Sequence, residues 1–224
     1  MKKHIVVLTG AGISAESGIK TFRDADGLWE GHDVMEVATP EGFALNPGLV
    51  LDFYNQRRRQ LREVTPNQAH LDLAALEQAY KVTIITQNVD DLHERAGSTS
   101  VIHLHGELLK ARNVVDETSV ITWETDINIG DVCKNGHQLR PHIVWFGENV
   151  PMIDAAMAIC KTADILVIIG TSMQVYPAAG LMHYVPKNTP IYFIDPKPAM
   201  DSKEHVTVIA ESATLGVRKM IEQL

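Results

Sequence analysis

Five short apolar runs, His4–Thr9, Val82–Thr86, Val101–Leu104, Ile165–Ile169 and Ile191–Ile194, each end on a polar or glycine-bearing turn. Runs of that length without alternation are read as strands buried on both faces of a parallel sheet. Helical patterns at Gln68–Tyr80, Ile153–Lys161 and Thr214–Gln223 lie among and after them. Strands alternating with helices indicate an α/β fold, a parallel sheet with helices on both faces and right-handed crossovers. Ligands of such sheets sit beyond the carboxyl ends of the strands. Those ends carry Gly10 and Gly12, Gln87–Asp91, His105, Gly170–Ser172 and Asp195, which together read as one site.

Two stretches break the alternation. Residues 24–65 hold a polar loop and an arginine-rich helix over Leu49–Arg62; residues 107–140 hold short β-like pieces such as Ser119–Trp123. They are expected to form one small inserted module. The formal net charge of −8 argues against a general phosphate-backbone binder but permits a basic peptide substrate. Two cysteines are too few for a disulfide framework, and Cys160, in the apolar pattern AAMAICKTAD, reads as an inert buried thiol. The run in MKKHIVVLTGAG is too short to span a membrane, and no small-residue cleavage site follows it. A cytoplasmic protein is expected, with neither nucleic acid nor membrane as partner.

After the first strand comes Gly10-Ala11-Gly12-Ile13-Ser14-Ala15-Glu16-Ser17-Gly18. Glycines at a strand-to-helix turn let backbone amides approach a diphosphate, though tight packing alone also calls for glycine. The third glycine comes six residues after the second, not three, and the usual acidic ribose partner is unclear. A hydride-transferring dehydrogenase fits this poorly.

Seven segments extend the pattern: GAGISAESGI (Gly10–Ile19), TFRDADGLW (Thr21–Trp29), PNQAH (Pro66–His70), TQNVDDLHERAG (Thr86–Gly97), LHGEL (Leu104–Leu108), LRPHIVWFGE (Leu139–Glu148) and GTSMQVYPAA (Gly170–Ala179). In this order they resemble the sirtuin family, specifically the bacterial desuccinylase-like class. With a weaker terminal match, the resemblance covers essentially the whole chain. It implies one catalytic domain: a Rossmann-like part, approximately 1–23, 66–106 and 141–224, and the small module, approximately 24–65 and 107–140. It further implies consumption of NAD as co-substrate. The acyl group of an acylated protein lysine passes to ADP-ribose, with release of nicotinamide and free lysine.

Residue roles follow from the same resemblance. His105 matches the catalytic histidine, whose near-neutral imidazole can take a proton from a ribose hydroxyl. Gln87, Asn88, Val89 and Asp90 match a cofactor segment in which Asn88 and Asp90 also serve catalysis, although both could cap the helix beginning near Asp91. Gly10, Ala11, Gly12 and Ser14 receive the diphosphate side. Phe22 covers the reactive ribose face against water, and Arg23 reaches the diphosphate. Gly170, Thr171, Ser172, Asp195 and Ala213 hold the adenosine half, Asp195 standing where the family usually has asparagine. His103 is taken to face the opposite side of the sheet from His105.

Tyr54 and Arg57, three apart on one helical face, match the Y-x-x-R pair of the desuccinylase-like class. A guanidinium beside a phenol suits the distal carboxylate of a succinyl or malonyl group. The competing reading is a solvated basic run, Arg57–Arg59, with Tyr54 in the core. Most sirtuins hold a structural zinc in two C-x-x-C pairs. Here the first region reads Ala111–Asp116 without cysteine, and the second has Cys133 and His137 alone. No structural zinc is expected, because a closed site needs four ligands. Packing of Ile121, Trp123 and Val132 is expected to hold the module instead. The alternatives are an NAD-binding module without catalysis and an ADP-ribosyltransferase; retention of His105, Asn88 and Asp90 favours the deacylase.

Overall fold

A computed structural model describes residues 2–20, 28–29 and 31–224. The chain runs β1 (His4–Thr9), a 3-10 segment (Ala11–Ser17), β2 (Leu28–Trp29), β3 (His32–Asp33), α1 (Val34–Val37), α2 (Pro40–Leu45), α3 (Pro47–Glu63) and α4 (Gln68–Ala75). It continues β4 (Lys81–Thr86), α5 (Leu92–Arg95), β5 (Val101–His103), β6 (Gly106–Asn113), β7 (Val120–Thr122), β8 (Leu139–Ile143) and α6 (Ile153–Cys160). Last come β9 (Ile165–Ile169), a 3-10 segment (Ala178–Tyr184), β10 (Ile191–Ile194), β11 (Val206–Ile209) and α7 (Ala213–Ile221).

The main sheet has the order β11-β10-β9-β1-β4-β5, all parallel. From β1 the chain builds toward β4 and β5 on one side, and later toward β9, β10 and β11 on the other. The strand order therefore reverses at β1, which opens a crevice at the ends of β1 and β9. The period of two sorts each strand between two cores. Ile5, Val7, Ile84 and Val167 pack against Leu73 of α4 and Val217 and Met220 of α7. Val6, Leu8, Ile85, Leu166 and Ile168 pack against Ala156 and Cys160 of α6 on the opposite face. Cys160 is indeed fully buried, and burial pushes its thiol up to about 11.

Several boundaries differ from expectation. The helix expected to reach Tyr80 is α-helical only to Ala75 and tightens into a 3-10 turn at Leu76–Gln78. There Ala79 and Tyr80 both donate to the Leu76 carbonyl, a common way to finish a last turn. Behind α4, the rings of His70 and His93 meet edge-on at 4.8 Å, and His93 Nε2 lies 3.2 Å from Thr9 Oγ1. Burial lowers both imidazoles, His70 to about 4 and His93 well below the ordinary range.

The antiparallel sheet β7-β6-β8 forms the centre of a second layer. Leu51, Ala111, Ile127 and Leu139 make its core, with Phe43, Trp123 and Cys133 packed against them. Of the three residues expected to hold it, only Trp123 does so. Ile121 and Val132 are about half exposed, at 43% and 50%, because β7 is an edge strand and Val132 lies in a protruding loop. Side-chain amides do much of the fastening. Asn113 Oδ1 accepts from the N–H groups of Val115 and Asp116, at 2.8 and 2.6 Å. Gln138 Nε2 donates to the carbonyls of Asn128, Asp131 and Leu139, while its Oε1 accepts from Gly130 N. Asn55 of α3 grips both backbone groups of Ile127 at 2.9 Å. Arg58 is not on a solvated face: it is fully buried and donates to Leu108 O and Asn55 Oδ1. Among the described residues, no group of three or more His, Cys, Asp or Glu is arranged to hold a metal ion.

Candidate active site

The turn after β1 presses directly on the turn after β9. Gly10 N donates to Ile169 O at 3.0 Å, and Gly12 N to Gly170 O at 2.9 Å. A Cβ at Gly12 would lie 2.6 Å from Gly170 Cα, and one at Gly10 would lie 2.8 Å from Gly170 O. Gly170 itself has φ +61°, a left-handed conformation that side chains disfavour. The packing reading of these glycines is therefore correct: the N–H groups of Gly10 and Gly12 are spent on that contact.

Ser14, in the 3-10 segment, is buried and joins two parts of the chain. Its Oγ donates to Asp90 Oδ2 at 2.9 Å and accepts from Asn88 Nδ2 at 3.1 Å. Asp90 Oδ1 also accepts from Leu92 N, so the helix-capping reading holds for Asp90 but not for the Asn88 side chain. Burial raises the Asp90 carboxyl despite the hydrogen bonds from Ser14 and Leu92. Gln87 donates from Nε2 to Thr171 Oγ1 at 3.0 Å, tying the end of β4 to the end of β9.

His105 follows β5 in a bend. Its Nδ1 lies 3.1 Å from Gln87 O, and a carbonyl can only accept, so Nδ1 carries the hydrogen. Nε2 is then the basic nitrogen of a neutral ring, and burial lowers its affinity for a proton. His103 does face elsewhere, though not for the expected reason. Residues two apart in a strand share a face; the two rings diverge because β5 stops at His103 and the chain bends at Leu104 and His105.

One cavity of about 620 Å³ collects these groups. Its lining includes Gly10, Ala11 and Gly12, then Gln87, Asn88, Val89, Asp90 and His105. Gly170, Thr171, Ser172, Asp195 and Ala213 extend it, and Tyr54 and Arg57 line it from α3. Ser14 lies one layer behind, while Phe22 and Arg23 are outside the described residues. Asp195 is buried and accepts from Lys197 N at 2.8 Å, so the turn-residue reading holds. Tyr54 is buried among aromatics, and its hydroxyl oxygen accepts from Trp145 Nε1 at 2.9 Å. Burial raises that phenol, which stays protonated with its own hydrogen left to donate. Arg57 donates to Phe53 O at 2.7 Å and stacks on the Phe53 ring at 4.1 Å.

Sequence reasoning missed three contributors. Trp145 lies within LRPHIVWFGE and both lines the cavity and anchors Tyr54. Arg140 stacks on Trp145 at 3.3 Å, and Glu148 joins Arg140 to Arg112 in a buried ion-pair cluster. Glu16 accepts from Ser212 Oγ, Thr214 N and Thr214 Oγ1 at 2.7–3.0 Å, clasping the start of α7 onto the 3-10 segment. Burial opposes its ionisation, and those hydrogen bonds outweigh burial and lower its carboxyl.

The family model described as Sir2 family matches residues 10–177. The chain belongs to the Sir2 family. A Helicobacter pylori (strain ATCC 700392 / 26695) member named NAD-dependent protein deacylase is 59% identical over 223 residues, spanning 99% of this chain and 97% of that one. A Bacteroides thetaiotaomicron protein of the same name is 52% identical over 229 residues, spanning 99% and 98%. Among solved structures, a Sir2 homolog–NAD complex superposes with TM-score 0.88 at 39% identity, covering 99% of this chain and 89% of that one. A mutant Sir2 homologue with ADP-ribose gives TM-score 0.86 at 38% identity, covering 100% and 95%. The parallel sheet with its added small sheet is thus a Sir2 fold throughout the chain.

Proposed function

We propose that this Sir2-family chain is an NAD-dependent protein-lysine deacylase that accepts succinyl and malonyl as well as acetyl groups. The observation that carries the reading is the shared cavity: His105, Asn88 and the Gly10–Gly12 turn border the same space as Tyr54 and Arg57. The cavity suits a dinucleotide in its chemistry. A glycine turn free of side chains stands at one strand end, amide side chains at the next, and the buried Asp195 side chain at the adenosine side.

In this reading His105 Nε2 accepts the proton of a ribose hydroxyl, and Gln87 O holds the ring in the tautomer that frees Nε2. Asn88 and Asp90 orient the nicotinamide half, both braced by Ser14. Gly170, Thr171, Ser172 and Ala213 complete the adenosine side. Arg57 and the Tyr54 hydroxyl meet the far carboxylate of a dicarboxylic acyl chain. An acetyl group offers them nothing to bind. With one water consumed, the acyl group passes to ADP-ribose, while nicotinamide and free lysine leave.

The division into a Rossmann-like part and a module of two insertions belongs to the same proposal, supported by the two separate sheets. So do a cytoplasmic location and partners limited to acylated proteins, without nucleic acid or membrane. Cys133 and Cys160 are unpaired thiols, as a reducing compartment allows, and no described helix is long and apolar enough to cross a membrane.

The test is mass spectrometry of acetyl-, malonyl- and succinyl-lysine peptides incubated with NAD and the protein. Loss of each acyl group, matched by nicotinamide release, is expected. Acyl loss without NAD, or none with it, would overturn the assignment.

A further inference from the structure

Two histidines hold consecutive carbonyls of the turn between β4 and α5. His105 Nδ1 donates to Gln87 O and His103 Nδ1 to Asn88 O, each at 3.1 Å. His103 carries a second obligation, with Nε2 2.8 Å from Glu94 Oε1. A carbonyl and a carboxylate are both acceptors, so both ring nitrogens of His103 are called on to donate, which favours the imidazolium. Its side chain is only 8% exposed.

His103 does not enter the large cavity. It lines a second one of about 400 Å³ on the other side of the His103–Gly106 backbone. The charged and titratable groups around it are His93 and Glu94 on α5, Asp90 in the turn before α5, Glu107 and Lys110 on β6, and His142 on β8. Burial alone would lower the ring's proton affinity; the Glu94 carboxylate, the Asn88 carbonyl and Glu107 outweigh it. Asn88 is thereby held at three points. Its N–H reaches Thr86 Oγ1 at 3.0 Å, its side chain reaches Ser14 Oγ, and its carbonyl is held by His103.

We propose that His103 is a positioning residue for NAD cleavage, fixing the Asn88 peptide through its Nδ1–H while Glu94 locks the ring from behind. This rests on Asn88 contacting the nicotinamide half. His103 acts only through Asn88 and touches no substrate.

The experiment uses the full chain with acylated peptide. It compares kcat and KM for NAD, together with ADP-ribose affinity, in four variants. His103→Leu fills the space without a donor. His103→Asn places an amide N–H where Nδ1 stood, and His103→Gln places one where Nε2 stood. Asn88→Ala removes the residue being positioned. Loss of a charge-assisted hydrogen bond should cost His103→Leu about 10- to 100-fold in kcat/KM for NAD, with ADP-ribose affinity unchanged. His103→Asn should recover to within about threefold, and His103→Gln should not, since the reach of the amide selects the partner. Full activity of His103→Leu beside a crippled Asn88→Ala would overturn the positioning role alone. Equal recovery by Asn and Gln would also overturn it. A silent Asn88→Ala would instead refute the reading of the site on which the proposal rests.

Discussion

Replacing Arg57 with methionine separates the acyl pocket from the rest of the site. The guanidinium lines the cavity with one arm donating to Phe53 O and its plane on the Phe53 ring at 4.1 Å. A hydrogen bond to a charged partner contributes about 1.5–3 kcal/mol, which corresponds to roughly 10- to 150-fold in kcat/KM. Succinyl- and malonyl-lysine turnover should fall by that factor, whereas acetyl-lysine turnover should stay within about twofold. Methionine keeps an apolar contact on Phe53 and loses the cation–π contact and the bond to Phe53 O, about 1–2 kcal/mol together. That is a melting shift of a few degrees, roughly 2–4 °C per kcal/mol for a chain of this size. Initial rates on matched acetyl and succinyl peptides, with NAD saturating, read the difference directly. Equal losses on both acyl groups would refute the reasoning, because a general defect cannot tell one acyl chain from another.

Gly12→Ala should cost about 1–3 kcal/mol of stability and abolish ADP-ribose binding, since the new Cβ meets Gly170 backbone at 2.6 Å; unchanged calorimetric binding would contradict the tight contact. His70 is buried neutral with its proton affinity lowered to about 4, so as pH falls the unfolded chain takes up this proton from 6.5 downward while the folded chain resists until about 4. Stability is then present above pH 6.5 and lost across that window, by about 3 kcal/mol. His70→Gln, which suits the capping box with Asn67, should flatten the thermal-melting slope there, and a slope identical to the parent would count against it. Prolonged chelation should leave the melting curve in place, whereas Asn113→Ala, which removes two hydrogen bonds, should cost about 1–2 kcal/mol. A chelator-induced drop would expose a metal dependence.

The strands were readable because both faces of a parallel sheet are buried, which leaves uninterrupted apolar runs such as Ile165–Ile169. β11 escaped because an edge strand of four residues, with Thr207 exposed, carries too little pattern to separate from a loop. α2 could have been found: Thr39 accepts from Gly42 N and Pro40 opens the helix, a start signal present in the sequence. Gly10–Gly12, Gln87–Asp90, His105 and Gly170–Ser172, which line the cavity, came through their motifs. The bonds that brace them did not, because Ser14 and Asp90 lie 76 positions apart and no local pattern records such a pairing. Arg58 misled for a related reason. A basic triplet looks solvated until the carbonyl of Leu108 and the amide of Asn55 are seen waiting for its middle member.

Glu16 meets its partners at Ser212 and Thr214, 196 and 198 positions further along the chain. β1 likewise takes β9, from far along the chain, as the partner on its other edge. The crevice cannot take its final form before Ser212 and Thr214 have been made, since its opening segment stays without that clasp until then. Such distant closure makes for slow, late maturation. A fragment that stops short of α7 therefore leaves the Glu16 carboxylate without the three hydrogen bonds that tie the two ends of the fold together.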